Sequence, residues 1–272
     1  MKYKLNTLLQ MSDVEYFSLD RISASDIRLF TLSQTPAHYK AAKEKMKTSD
    51  LMIFGTLVHV LAMQPDKFEE NYIVISDDTR RTQKLKNDAG DKTLIKQSEL
   101  EAAKKCVEHL HENRSASKLF ENTFFEQVIL FNEPFYGAEC KAKIDGINLE
   151  KNFIFDIKTT NDISNEGFYK NIFNSNYIFQ AAFYKLAAEL SYPNRQFDFY
   201  FLAVENVEPF YCNVFRLSQL GWSWDRTFAI LKKQISRFLD ARNRDFRQKY
   251  NGIEDIFDFP LWFLEKYDIN FK

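Results

Sequence analysis

The sequence predicts a mixed α/β domain, a central mixed sheet with helices on both faces. Three observations carry that class. Helical spacing of apolar residues dominates the chain up to Asn113, a period of two takes over between Ala138 and Ile144, and helices and strands then alternate to Phe215. At 272 residues, 45% hydrophobic and 28% charged, the chain can bury a sizeable core. With only 7 Gly and 6 Pro, and neither a repeat nor a low-complexity stretch, it reads as one domain over 1–272.

The segment SASDIRLFTLSQTPAHYKAAKEKM gives two short helices, the first capped by Ser23 or Ser25 and the second opened by Pro36. FGTLVHVLAMQPDKF follows, with a stripe of Leu57, Val58, Leu61 and Ala62 that stops before Pro65. Residues 76–96 are polar and read as an exposed loop. A helix from Ser98 to Asn113 is expected, with Ser98 and Glu101 at capping-box spacing. Phe125 to Phe131 is a strand, and Asn132, Glu133 and Pro134 make a turn. Ala138, Cys140, Ala142 and Ile144 then alternate with Glu139, Lys141 and Lys143, the pattern of a half-exposed strand. After a turn at 148–152, Phe153, Ile154 and Phe155 begin a buried strand that runs into Asp156, Ile157 and Lys158. Helices near Asn165 to Phe173 and Tyr177 to Leu190 come next, then strands at Phe197 to Val204 and Pro209 to Phe215. A long helix from Leu217 to about Tyr250 and an aromatic tail close the chain.

Composition narrows the function classes. No run approaches the roughly 18 to 20 apolar residues that cross a bilayer, so no membrane role is expected. The N-terminal stretch has no small-residue cleavage site, and the three cysteines (Cys106, Cys140, Cys212) form no CxxC pair. A cytoplasmic location fits these features. Net charge is −1, so bulk electrostatics do not announce a nucleic-acid binder. A local basic stripe can still serve. From Arg226 to Lys249 there are eight Lys or Arg against two acids, and Arg80, Arg81, Lys84 and Lys86 cluster earlier. Lys232, Lys233, Arg237, Arg80, Arg81 and Lys84 are candidate contacts to a phosphate backbone, or simply a solvated face.

The chemistry concentrates in KAKIDGINLEKNFIFDIKTT. In extended chain, residues i and i+2 share a face, so Asp156 and Lys158 project together and a hairpin brings Asp145 alongside. Two carboxylates can hold one or two Mg²⁺ ions, while the lysine orients a water or stabilises developing charge. The same Asp-x-Lys spacing also occurs as an ordinary surface ion pair. His59 in GTLVH, Glu126 at the start of a strand, and Gln180 and Tyr184 four apart on one helical face add to the set.

Taken in order, GTxxH, Glu, Asp, hydrophobic-Asp-x-Lys-Thr-Thr and QxxxY resemble the PD-(D/E)XK nucleases of the RecB-like branch, most of all the C-terminal nuclease domain of RecE (exonuclease VIII). The motifs span residues 23–190, with SASDIRLFTLSQTPAHYK, ECKAKIDGI, FDIKTTNDI and YIFQAAFY each resembling a family element. Residues 191–272 carry no specific match. The resemblance implies a restriction-endonuclease-like core and one or two Mg²⁺ ions, or Mn²⁺ in their place. Asp145, Asp156 and the Ile157 carbonyl would be metal ligands, with His59 ligating or flanking. Lys158 would position the attacking water, and Glu126, Gln180 and Tyr184 would line the active site, with Ser25 near a terminal phosphate. It further implies resection of linear double-stranded DNA ends, 5′ to 3′, for phage or prophage recombination by single-strand annealing. An annealing protein as partner and a ring-shaped homo-oligomer belong to the same implication. A different nuclease on this fold, an endonuclease or single-strand exonuclease, is the alternative, and a DNA-binding module without catalysis is another. Departures are Gln64 before Pro65 where the family has Glu, Lys141 and Lys143 where it favours arginine, and Ile144 in place of its proline.

Overall fold

The computed structural model describes residues 3–45, 49–79, 81–217 and 223–249. In chain order these form α1 (Asp13–Ser18), β1 (Ile22–Ser23), α2 (Ala24–Leu32), α3 (Pro36–Glu44), α4 (Asp50–Met63), a 3-10 turn (Pro65–Lys67), α5 (Phe68–Asn71) and β2 (Tyr72–Ile75). Then come α6 (Gln83–Asp88), β3 (Thr93–Lys96), α7 (Gln97–Glu112), α8 (Arg114–Phe120), β4 (Phe124–Asn132), β5 (Glu139–Asn148) and β6 (Phe153–Thr160). The last are α9 (Asn165–Asn174), α10 (Tyr177–Ser191), β7 (Asp198–Glu205), β8 (Cys212–Leu217) and α11 (Trp224–Asn243).

Among the described residues the main sheet has six strands in the order β1-β5-β6-β7-β8, with β4 on the other edge of β5. It is mixed: β4, β6 and β8 run antiparallel to their neighbours β5, β5 and β7, while β6–β7 and β1–β5 are parallel. Helices cover both faces, as the sequence predicts. On one face α2, α9, α10 and α11 pack through Ile27, Phe168, Phe183 and Leu231 against Phe199 and Phe201. On the other, α4, α7 and α8 pack through Leu57, Leu110 and Leu119 against Phe155, Ile157 and Leu202.

Several boundaries follow the local chemistry. Ser23, not Ser25, caps α2: its hydroxyl accepts from the Asp26 N–H while the Asp26 carboxylate accepts from the Ser23 N–H. Pro36 occupies the first turn of α3, and α4 stops before Pro65. The α7 cap lies earlier than its Ser98/Glu101 spacing suggests, because the Glu99 carboxylate accepts from the Lys96 N–H and Ser98 turns instead to Asp77. Residues 76–96 are not merely loop. They contain α6 and β3, and β3 pairs in parallel with β2 as a separate two-stranded sheet. α11 is shorter than the helix expected from Leu217 to Tyr250, and the aromatic tail lies outside the described residues.

The largest correction concerns β5, which is central and buried along most of its length rather than half-exposed. Lys141 is only 5% exposed. Its ammonium donates to the carbonyls of Tyr16 and Leu19 and lies over the Tyr16 ring. The N-terminal segment thus closes over the face that alternation assigns to solvent, and a long lysine stem tolerates that burial once its head is hydrogen-bonded.

Where β5 meets β6 the ladder is short. It runs only from Asn148↔Phe153 through Ile147↔Ile154 to Gly146↔Phe155, and beyond that rung the strands part. A Cβ on Gly146 would overlap the Phe155 ring, so the tightest rung of the ladder depends on having no side chain there. Gly146→Ala is expected to cost about 1–3 kcal/mol, read as a lower urea midpoint at unchanged slope. A midpoint equal to wild type would show that the ring moves aside freely.

Candidate active site

The fork between β5 and β6 explains how the carboxylates are placed. Asp145 and Asp156 are the first residues beyond the Gly146↔Phe155 rung, so they face one another where the strands diverge. Both lie inside their strands. With β5 gone from that edge, the backbone of Ile157 is open towards the fork. Its N–H donates to Asp145 Oδ2 at 2.9 Å, and its carbonyl lies 3.0 Å from His59 Nε2. His59 Nδ1 is 3.3 Å from the same Asp145 oxygen. Imidazole, carboxylate and main-chain carbonyl therefore converge in one place.

Each side of the fork is held by a different helical layer. From α4, His59 reaches in beside the buried Leu57 and Val58. From α10, Gln180 Nε2 donates to Asp156 Oδ1 at 2.7 Å and to the Tyr184 hydroxyl at 2.9 Å, an i, i+4 pair as predicted. Asp156 is fully buried, and its other oxygen pairs with the Lys158 ammonium, which confirms that these two share a face. Lys158 Nζ also sits 4.9 Å from the Tyr177 ring centre, a second contact that fixes the ammonium. The Tyr177 ring takes the Arg28 guanidinium as well, at 5.1 Å.

Glu126 arrives by a strained route. β4 and β5 pair Phe125 with Gly146 and Gln127 with Ile144, which leaves Glu126 opposite Asp145 outside the register. Its φ is +53°, a left-handed backbone that costs a non-glycine residue on the order of 1 kcal/mol or more. On β5 the alternation slips at the same point, since Cys140, Ala142, Ile144 and Ile147 all pack in one core. The slip aims Glu126 into the site, where ligand atoms of His59, Glu126 and Asp145 all lie within 4.8 Å of one another. Lys143 spans from Glu126 Oε2 to Asp13, 2.6 Å from each.

Electrostatically the site is under-neutralised. Burial pushes the Asp145 carboxyl up to about 7; His59 pulls it down, and Asp156 and Glu126 push it up again. Burial and the nearby Asp156 likewise raise the Tyr184 phenol well above its ordinary value. If the His59 Nε2–H donates to the Ile157 carbonyl, the bare Nδ1 faces Asp145 Oδ2, and one proton has to lie in that contact. A divalent cation fits this donor set: carboxylate and carbonyl oxygens with one imidazole suit a hard or borderline metal ion. His59, Asp145 and Glu126 also line a cleft of about 700 Å³ that reaches Ser25 and Tyr184.

The basic residues do not gather there. Lys232, Lys233 and Arg237 lie on the exposed face of α11. Lys232 stacks over Phe135 at the β4–β5 turn, roughly 20 Å along β5 from Asp145. Arg81 is turned inward to Glu99 and Asp50, its side chain 16% exposed, so its charge is already matched. Arg80 and the Lys84 side chain lie outside the described residues. Sequence reasoning missed Lys143, Tyr177 and Arg28. Lys143 and Tyr177 carried a usable signal, since Lys143 is two before Asp145 on a strand and Tyr177 three before Gln180 on a helix.

A family described as a PDDEXK-like domain of unknown function (DUF3799) matches residues 23–258. The crystal structure of a "Putative exonuclease" from Eubacterium rectale is similar in fold, with a TM-score of 0.62 at 14% identity over 95% of this chain and 98% of that one. A structure of SSO0001 covers 68% of this chain and 87% of its own at 18% identity, with a TM-score of only 0.31. No curated protein matches the sequence.

Proposed function

Because the chain belongs to the family of PDDEXK-like domains of unknown function, we propose that it is a metal-dependent deoxyribonuclease that degrades linear double-stranded DNA from its ends. One observation carries this reading: two carboxylates, a main-chain carbonyl, an imidazole and a lysine meet at a strand fork with Asp156 and Lys158 ion-paired. Asp145, Asp156, the Ile157 carbonyl and His59 would hold the cation, Mg²⁺ or Mn²⁺. When bound, the ion would supply Lewis acidity at the phosphodiester. Lys158, fixed by Asp156 and Tyr177, holds the attacking water at its ammonium and stabilises charge that develops on the phosphate oxygens. Gln180 keeps Asp156 oriented, and Tyr184, uncharged because of its burial, keeps Gln180 oriented. Glu126 would stand at the edge of the site, and Ser25, which lines the same cleft, would meet a terminal phosphate, as the resemblance implies.

The resemblance to RecE supports the finer points: 5′ to 3′ resection, a role in phage or prophage recombination, an annealing protein as partner and a ring of subunits around DNA. The test uses labelled linear duplex beside closed circular DNA, with Mg²⁺ or EDTA. Metal-dependent loss of the linear molecule alone is expected. Cutting of the circle would make the protein an endonuclease, and survival of both with binding retained would make it a DNA-binding module. A smaller effect is expected from Lys232→Ala with Lys233→Ala: weaker DNA binding and a shallower salt dependence, with cleavage at saturating DNA unchanged. An unchanged salt slope would remove α11 from the DNA path.

A further inference from the structure

Charge at the fork is matched unevenly. Asp156 has the Lys158 ammonium and Glu126 has the Lys143 ammonium, but among the described residues Asp145 has no lysine or arginine at ion-pair distance; its direct partners are the Ile157 N–H and His59, and Lys158 acts on it only from farther off. Asp145 is therefore the carboxylate of the three without an ammonium in direct contact. Glu126, His59 and Asp145 lie close enough to offer a second set of donors, yet the space in front of Glu126 already holds a cation. Lys143 is not a drifting surface lysine. Its side chain is 23% exposed, it has a carboxylate 2.6 Å away on each side, and i, i+2 spacing on β5 puts it beside Asp145. A divalent ion bound by Glu126 would sit within a few ångströms of that ammonium, where like charges repel strongly in a partly buried site.

Building on the metal-dependent reading above, we infer that this site takes a single divalent cation, because the Lys143 ammonium between Glu126 and Asp13 fills the place a second one would need. Lys143 is a positioning residue in this scheme: it keeps Glu126 out of the ligand set and leaves Asp145 as the carboxylate that needs the metal.

The test counts Mn²⁺ bound by the full chain, from the loss of the free-ion electron paramagnetic resonance signal in a titration. Wild type is expected to bind one ion, Lys143→Arg one, and Lys143→Met two, since methionine keeps the apolar stem without the charge. Two ions in wild type, or one in a folded Lys143→Met, would overturn the inference while leaving a metal-dependent nuclease intact. No bound Mn²⁺ in wild type would sink the functional reading and this one together. Should Lys143→Met lose its cooperative melt, Glu126→Gln decides instead. Its Mn²⁺ affinity is expected within about threefold of wild type, whereas weakening by about tenfold or more would place Glu126 among the ligands and reject the inference.

Discussion

Lys158→Ala is expected to lower metal-dependent cleavage of linear duplex DNA by about a hundred- to a thousandfold, the range seen when one preorganised charge is removed from a developing anion. The size of the loss follows from how firmly the ammonium is set. It is paired to a buried aspartate, lies over an aromatic ring, and its side chain is only 12% exposed. The same burial complicates the alanine variant. Removing one member of a buried pair strands the other charge, at a cost of about 3–5 kcal/mol. Lys158→Gln is therefore the companion, since its amide can still donate to Asp156 while carrying no charge. Both variants should bind DNA and lose turnover. Full activity in a folded Lys158→Gln would remove the lysine from the chemistry.

Asp145→Asn should separate stability from function. In the metal-free protein burial pushes the Asp145 carboxyl up to about 7, above its ordinary 3.8, so the folded state binds the proton more tightly than the unfolded chain. The contribution of this carboxyl to stability is then fullest at acid pH and is lost as pH rises from about 4 to about 7. Asparagine removes that penalty. Its oxygen can accept from the Ile157 N–H and its amide can donate to His59 Nδ1, so both contacts survive without charge. Metal-free Asp145→Asn should melt higher than wild type at pH 8 and lose the pH dependence in that window, while Mn²⁺ binding and cleavage collapse. For wild type the affinity for metal should rise about tenfold per pH unit up to pH 7, with a proton released on binding. A variant that melts lower than wild type at pH 8 would show that the carboxylate is not a burden on the fold.

Much of this was legible in the sequence because the informative contacts are local. Asp156 and Lys158 are two apart on a strand, Gln180 and Tyr184 four apart on a helix, and Asp145 reaches them across a short hairpin. What escaped depends on chain that returns from far away. Lys141 looks like the solvent side of an alternating strand, yet its head is claimed by Tyr16 and Leu19, more than a hundred residues earlier. Lys143 is claimed by Asp13 in the same segment. β3 hid because it is only four residues long at the end of a polar stretch, and β2, equally short, because its parallel partner lies beyond an intervening helix. Periodicity reports which face is apolar, but not which polar face another segment will cover.

The fork also joins what the two hydrophobic cores keep apart. His59 belongs to the layer built on α4, and Gln180 to the layer built on α10, with the sheet between them. A partly unfolded form that releases either layer loses one half of the constellation. A cation bound at the fork therefore acts as a clasp whose affinity is felt on both sides of the sheet. At a hundred times its dissociation constant it adds about 2.7 kcal/mol to any opening that breaks the site. Amide hydrogens of α4 and of α10 should then slow together in exchange when metal is added, by the same factor, although the two helices never touch a common core.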